Sequence, residues 1–193
     1  MALAAVRPAV RTDVDEIVRI QAATWATAYA ELVPAAALAQ LDSDGARQAW
    51  AAAIAAGDGH HVLVATEGAW TVGFCAAAAA GEASTSGEPP NGRAQLGADV
   101  GPQFWGEIGA LLVEPRWGRR GHAGRLLAAA ATALQAAGAR YGLAWIPETD
   151  EASRRFYARA GWEPDGAVRG LDTGGGILRE IRVTGSLDLS LAS

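Results

Sequence analysis

The sequence lacks several residues and patterns, and each absence excludes a class of site. Lysine is absent, so all 16 basic residues are arginine and the chain has no lysine side chain of its own to be acylated. Cys75 is the single cysteine, which excludes an intrachain disulfide and a cysteine-based metal cluster. The histidines His60, His61 and His122 do not have the spacing of a zinc site. We therefore expect no metal.

Long apolar runs and an excess of positive charge are missing as well. No apolar run reaches membrane-spanning length without small or polar interruptions, and the N-terminus lacks the plan of a signal peptide. The formal net charge of −5 argues against a general nucleic-acid-binding surface. We expect a cytoplasmic protein with no membrane or nucleic-acid partner, and the sequence does not distinguish a monomer from a homodimer.

What remains has the composition of a globular protein. Half of the 193 residues are hydrophobic and 19% are charged, so residues 1–193 are predicted to form a single domain. Residues 81–103 are rich in Gly, Pro, Ser and Asn, which predicts a long loop of low order inside that domain. This loop is either a lid or a tolerated insertion, and it is not a domain linker.

Strand-like and helix-like patterns alternate along the chain, which favours a mixed sheet with helices on its faces. Asp13 and Glu16 resemble a capping box, and Gly109 inside a strand suggests a bulge or a close backbone approach. In the last helix the spacing of the apolar residues turns Tyr157 partly away from the core. Strands are predicted near residues 3–7, 61–66, 70–80, 104–113, 141–146, 167–171 and 177–183, and helices near 13–30, 34–57, 122–137 and 150–160.

The most informative stretch runs from Glu107 to Leu127. It reads as a buried strand ended by Pro115, an Arg/Gly turn, and the start of a helix. Such a turn presents backbone N–H groups at a helix N-terminus and can hold a phosphate or pyrophosphate. Four arginines fall within ten residues, and for any one of them a solvated surface position remains an alternative. They are Arg116, Arg119, Arg120 and Arg125.

Two motifs in order resemble the GNAT-type N-acetyltransferase superfamily over about residues 4–184. The first is the turn at 118–123, GRRGHA, and the second is the segment at 150–162, DEASRRFYARAGW. Gly118 stands where the family has Gln or Arg, and Asp150 stands where it has Asn. The resemblance implies an α/β fold with a mixed, mostly antiparallel sheet of six to seven strands, helices on both faces, and a splay between the fourth and fifth strands.

The resemblance also implies a cofactor, acetyl-CoA. Its pyrophosphate would lie on the backbone N–H groups of the turn, helped by the nearby arginines. Its pantetheine arm would pair with the fourth strand, where a backbone N–H would stabilise the developing oxyanion. The cofactor-binding residues expected on this basis are Leu111, Leu112, Val113, Arg119, Arg120, Gly121, His122, Ala123, Gly124, Arg125, Asp150 and Ser153.

Two residues are expected to be catalytic. Glu107 matches the position of a base glutamate in one branch of the family, and the alternative is a strand-end glutamate in solvent or in an ion pair. Tyr157 matches the family tyrosine that stabilises the leaving thiolate, and the alternative is a tyrosine packed at a sheet edge. Trp25 and Tyr29, one helical turn apart, are either paired core aromatics or the wall of an acceptor pocket.

The expected function is transfer of an acetyl group from acetyl-CoA to a primary amine of a small molecule or peptide. An acyl-CoA-binding sensor or partner protein with little transferase activity is the alternative. A P-loop nucleotide binder is disfavoured because no Gly-Lys-Ser/Thr follows the turn. The sequence does not name the acceptor.

Overall fold

The structure is a computed structural model that describes residues 4–57, 59–85, 105–174 and 176–189. Its strands are β1 (Ala4–Pro8), β2 (His60–Glu67), β3 (Trp70–Ala79), β4 (Trp105–Val113), β5 (Tyr141–Pro147), β6 (Glu163–Asp172) and β7 (Ile177–Ser186). Its helices are α1 (Val14–Ala28), α2 (Ala35–Gln40), α3 (Asp44–Ala55), α4 (Glu82–Thr85), α5 (His122–Ala136) and α6 (Glu151–Arg159). None of these helices is long and apolar enough to cross a membrane.

The seven strands form one sheet in the order β1-β2-β3-β4-β5-β7-β6. Neighbours are antiparallel except β4 and β5, which are parallel. The α5 helix makes the crossover that a parallel pair requires. The predicted fold class, with its mixed and mostly antiparallel sheet, is confirmed.

Helices cover both faces of the sheet. One apolar cluster lies under α5 and α6, and a second lies under α1 and α3. These two layers bury the alternating apolar residues of the strands. The first cluster includes Ile108, Leu126, Leu127, Leu134 and Trp162, and the second includes Ile17, Ile20, Val64 and Phe74.

The pairing between β4 and β5 is short. It joins Trp105–Ile108 to Tyr141–Ala144, and within the described sheet the two strands do not pair beyond that point. A bulge at Gly109, seen as a register shift against β3, lies where the strands separate. The predicted splay and the predicted bulge are therefore at the same place, and the β5 side of the β4 backbone is left free there.

Three local expectations change. Asp13 does not form the predicted capping box with Glu16 at the start of α1, because its carboxylate pairs with Arg7 and accepts a hydrogen bond from the Val10 N–H, three residues earlier. Tyr157 is 4% exposed, so the prediction that it turns partly away from the core is wrong. Within the predicted 81–103 loop, residues 82–85 form α4, and the remainder from 86 onward lies outside the described residues, as does residue 104, the predicted start of the fourth strand.

Candidate active site

The turn before α5 has the backbone shape of an anion-binding loop. Arg119 and Gly121 both adopt the left-handed conformation, with φ of 63° and 79°. A non-glycine residue in this region is uncommon, and such strain gathers at functional loops. Since α5 begins at His122, the free N–H groups of its first turn, including those of Ala123 and Gly124, lie directly after the strained segment.

Glu67 holds this turn from the end of β2. Its two oxygens lie 2.9 Å from an Arg120 nitrogen and 2.9 Å from His122 Nε2. The Arg120 guanidinium also lies 4.9 Å from the ring centre of Trp117. Arg120 and His122, both predicted to bind the cofactor, thus help to build the turn itself.

A cavity of about 820 Å³ opens against the turn, between α5 and α6. Buried beside it are His122 Nδ1 and the Trp117 indole N–H, neither of which has a hydrogen-bond partner among the described residues. Buried polar atoms are normally satisfied, so these two mark a place where a polar ligand fits. The cavity is lined by Val113, Trp117, Gly118, Arg119, Gly121, His122, Ala123, Gly124, Ala152, Arg155, Phe156 and Arg159.

The arginines of this region divide into two groups. Arg125 donates to the Arg120 carbonyl at 3.0 Å and, like Arg120, does not line the cavity. Arg119 lines it, together with Arg155 and Arg159 from α6. Sequence reasoning missed the last two, although their i, i+4 spacing puts them on one helix face. Three guanidiniums, helical N–H groups and two unpaired buried polar atoms suit an anionic pyrophosphate, so the residues fit coenzyme A.

A second cavity, of about 130 Å³, occupies the splay between β4 and β5. The Tyr157 side chain reaches it from α6 and is stacked on Trp162 with ring centres 5.3 Å apart. Burial raises the pKa of Tyr157, and negative charge from Asp150 adds to the rise, so its hydroxyl stays protonated at neutral pH. Residues 108–112 of β4 also line this cavity, and they include the predicted Leu111 and Leu112.

The α1 helix closes this second cavity with aromatic side chains. Trp25 and Tyr29 meet edge to face at 5.1 Å, and both line the cavity. Tyr29 also packs against Val33 and Leu178 in a small apolar cluster. The pair therefore packs in the interior and also faces the cavity, and its role as the wall of an acceptor pocket stays a prediction.

Asp150 caps α6 with its carboxylate. One oxygen accepts from the Ser153 N–H at 2.9 Å, and the other accepts from the hydroxyls of Ser153 and Tyr29. Burial opposes ionisation of this carboxyl, but these hydrogen bonds outweigh it and hold the pKa of Asp150 below its usual value. Because both oxygens are engaged, the visible role of Asp150 is to fix α6. Ser153 lines the splay cavity, and its contact with the cofactor stays a prediction.

Glu107 lies apart from Tyr157. It lines a third cavity, of about 280 Å³, with His60, His61 and residues of β2 and β3. Its carboxylate accepts a 2.5 Å hydrogen bond from the Ser84 hydroxyl of α4. The third cavity shares Gly109 with the splay cavity, so the two predicted catalytic side chains lie on neighbouring cavities.

The structure adds Glu180 and Trp145 to the splay cavity, and neither was predicted. Glu180 is 6% exposed on β7. The sequence could have indicated this position, because Glu180 follows Leu178 by two residues on the last strand. Residues two apart on a strand share a face, so Glu180 lies on the same inward face as Leu178. Cys75 is buried as expected, and burial raises the pKa of its thiol to about 12. Among the described residues no group of His, Cys, Asp and Glu could hold a metal.

Comparison with solved structures finds the same fold. The PaiA N-acetyltransferase of Thermoplasma acidophilum, in complex with coenzyme A, is 12% identical with a TM-score of 0.70, over 95% of this chain and 99% of that one. YncA of Salmonella typhimurium, with its cofactor acetyl-CoA, is 17% identical with a TM-score of 0.64, over 98% and 96%. An N-acetyltransferase of Staphylococcus aureus Mu50 is 18% identical with a TM-score of 0.67, over 97% and 100%.

A search of curated proteins found no match. The sequence profile of the Acetyltransferase (GNAT) family matches residues 20–162, a segment that contains both the anion-binding turn and α6. The cofactor of this family is acetyl-CoA, which agrees with the ligands of the two complexes and with the lining of the large cavity. The chain therefore belongs to the GNAT acetyltransferase family.

Proposed function

We propose that this protein transfers an acetyl group from acetyl-CoA to a primary amine of a small molecule or peptide, within a single ternary complex. The observation that carries the proposal is the position of Tyr157. Its protonated side chain lines the splay cavity opposite the free β4 backbone, and the anion-binding turn lies on the same side of the sheet.

The large cavity and the splay cavity would bind different parts of the cofactor. Arg119, Arg155 and Arg159 would hold its phosphates, with the N–H groups that start α5. The unpaired backbone of Leu111, Leu112 and Val113 would hold the pantetheine arm in place of a strand partner. When bound, acetyl-CoA supplies an acetyl group activated as a thioester.

The acceptor amine must lose a proton before it can attack. An alkyl amine with a pKa of about 10.4 costs roughly 4–5 kcal/mol to deprotonate at pH 7. Glu107 would accept this proton through water, because its side chain lies in the cavity next to the one that holds Tyr157. As the new C–N bond forms and the C–S bond breaks, the amine nitrogen loses one proton and the sulfur gains one.

Tyr157 would stabilise the leaving sulfur. Its raised pKa makes complete proton transfer unfavourable in the resting protein, so a hydrogen bond that strengthens as the C–S bond breaks is the expected role. The free N–H groups of β4 would donate to the carbonyl oxygen of the acetyl group.

An acyl-CoA-binding protein with little transferase activity remains the second candidate. Gly118 provides no side chain at the first position of the turn, and the Asp150 carboxylate is committed to hydrogen bonds inside the protein. An assay of thiol release from acetyl-CoA with a panel of amines separates the two. Turnover above hydrolysis with any amine supports the transferase, whereas tight cofactor binding without turnover supports the sensor.

A further inference from the structure

Polar groups around the splay cavity have hydrogen-bonding capacity that the protein does not use. Glu180 Oε2 accepts a 2.7 Å hydrogen bond from Arg169 Nε, and no described residue donates to Oε1. The two terminal nitrogens of Arg169 likewise have no partner among the described residues. The buried indole N–H of Trp145 also has no acceptor among the described residues.

Strand register brings these groups together. Arg169 and Glu180 are direct cross-strand partners on β6 and β7. The Arg169 guanidinium lies 4.5 Å from the ring centre of Trp145, which is on β5, the other neighbour of β7. The result is one free carboxylate oxygen, two free guanidinium nitrogens and one free indole N–H. Glu180 and Trp145 line the cavity that Tyr157 also lines, and Arg169 contacts both of them from the neighbouring strand.

We propose that the acceptor is a compound that carries a primary amine and a carboxylate close together, as a free amino acid does. This inference rests on the proposed acetyl transfer and names its substrate class. The ammonium group would bind Glu180 Oε1 and face the aromatic rings of Trp25 and Tyr29 before it loses its proton. The carboxylate would accept from the free Arg169 nitrogens and from the Trp145 N–H.

Charge balance favours such a zwitterion over a simple amine or a polyamine. Arg169 already offsets the charge of Glu180, so a purely cationic ligand would gain little. Arg182, 5.6 Å from the Trp145 ring centre, is itself satisfied by Asp165 and by two carbonyls of α4. A ligand with one charge of each sign leaves the region neutral and completes its unpaired groups.

Size favours a single amino acid over a peptide. The splay cavity holds about 130 Å³, which suits a small head group. The N-terminal residue of a peptide has no free carboxylate beside its amine, so it would leave the Arg169 donors unpaired. The same deficit applies to amino-acid amides and esters.

The experiment compares matched acceptors in the thiol-release assay at saturating acetyl-CoA. Each free amino acid is paired with its amide and with the amine made by removing its carboxylate, for example phenylalanine, phenylalaninamide and 2-phenylethylamine. We expect kcat/KM to be at least about tenfold higher for at least one amino acid than for its two partners. Amines acetylated as well as or better than every amino acid would overturn the inference while leaving acetyl transfer intact.

Two variants test whether Arg169 binds the carboxylate of the acceptor. Arg169→Gln should reduce kcat/KM for the amino acid by about tenfold and should not reduce that for the matched amine, because Glu180 then lacks its counter-charge. Arg179→Gln is the control, because Arg179 lies on β7 and its guanidinium pairs with Glu148 rather than with Glu180. An equal loss for both acceptors in Arg169→Gln would contradict a carboxylate-binding role.

Binding is measured separately from turnover. Calorimetric titration of the amino acid into the protein saturated with CoA should show binding that Arg169→Gln weakens and Arg179→Gln preserves. Affinity for CoA itself reports folding, since neither Arg169 nor Arg179 lines the large cavity. If no acceptor turns over but this amino-acid binding is seen, acetyl transfer fails and the binding inference stands. If no amino acid binds and none turns over, the inference is overturned.

Discussion

The Tyr29 hydroxyl donates a 2.6 Å hydrogen bond to Oδ2 of Asp150, across 121 positions of sequence. Asp150 caps α6, and Tyr29 follows the last residue of α1. This contact ties the helix that carries Tyr157 to the helix that closes the acceptor side of the splay cavity. The distance between the two sides of the cavity therefore depends on one hydrogen bond between buried groups.

Tyr29→Phe should lower the free energy of unfolding by about 1–3 kcal/mol. The variant removes a hydrogen bond to a charged group and leaves the partly buried Asp150 carboxylate with one donor fewer. Urea denaturation measures the change. Tyr141→Phe is the matched control, since no described residue hydrogen-bonds its hydroxyl and its ring packs against Trp105. Equal stability of the two variants would contradict the structural role of the bond.

The lowered pKa of Asp150 predicts a dependence of stability on acid. Its contribution is fully present above the ordinary value of 3.8 and is lost as pH falls through the lower folded value. The stability difference between the protein and Asp150→Asn should therefore shrink below about pH 4. Thermal melts at pH 7 and at several acid values test this, and a difference that stays constant into acid would argue against the ionised carboxylate.

Tyr157→Phe should reduce kcat by at least about tenfold while acetyl-CoA still binds. The variant keeps the ring that stacks on Trp162 and removes only the donor to the sulfur. Steady-state kinetics and a cofactor-binding titration give the two quantities. Unchanged turnover would remove Tyr157 from the mechanism.

Arg159→Gln should weaken acetyl-CoA binding by about three- to tenfold, with a smaller effect at high salt. Arg154→Gln on the same helix is the control, because Arg154 bonds the Glu148 carbonyl and does not line the large cavity. Titrations at two salt concentrations distinguish the variants. An equal loss for both would indicate a general charge effect of α6.

Glu107→Gln should lower kcat/KM at pH 7. The kcat/KM of the variant should then approach the parent value as the pH approaches the pKa of the acceptor amine, about 10. The reason is that the amine then loses its proton without a base. Ser84→Ala, which removes the hydroxyl that bonds Glu107 and keeps the carboxylate, should have a smaller effect. A pH-independent loss in Glu107→Gln would point to a structural role for the third cavity.

The fold was largely predictable, and the site was predictable in part. The strands, the turn at 118–123 and the start of α5 depend on local periodicity and turn chemistry, and they appear close to where the sequence places them, although β6 begins four residues before its predicted start. Arg155 and Arg159 could have been found from their helical spacing. The commitment of Arg120 to Glu67 could not, because the two residues are 53 positions apart and meet only through the sheet.

By itself the sequence predicted the turn at 118–123, a bulge or close backbone approach at Gly109, and the helix that carries Tyr157, because each follows from residues adjacent in the chain. Only the tertiary structure decided that Glu107 lies on one cavity while Glu180 shares another with Tyr157. The physical reason is strand order. The last strand inserts between β5 and β6, and that placement brings Glu180, Arg169 and Trp145 side by side. Side-chain alternation tells which residues share a face, but which faces meet is a property of the assembled sheet.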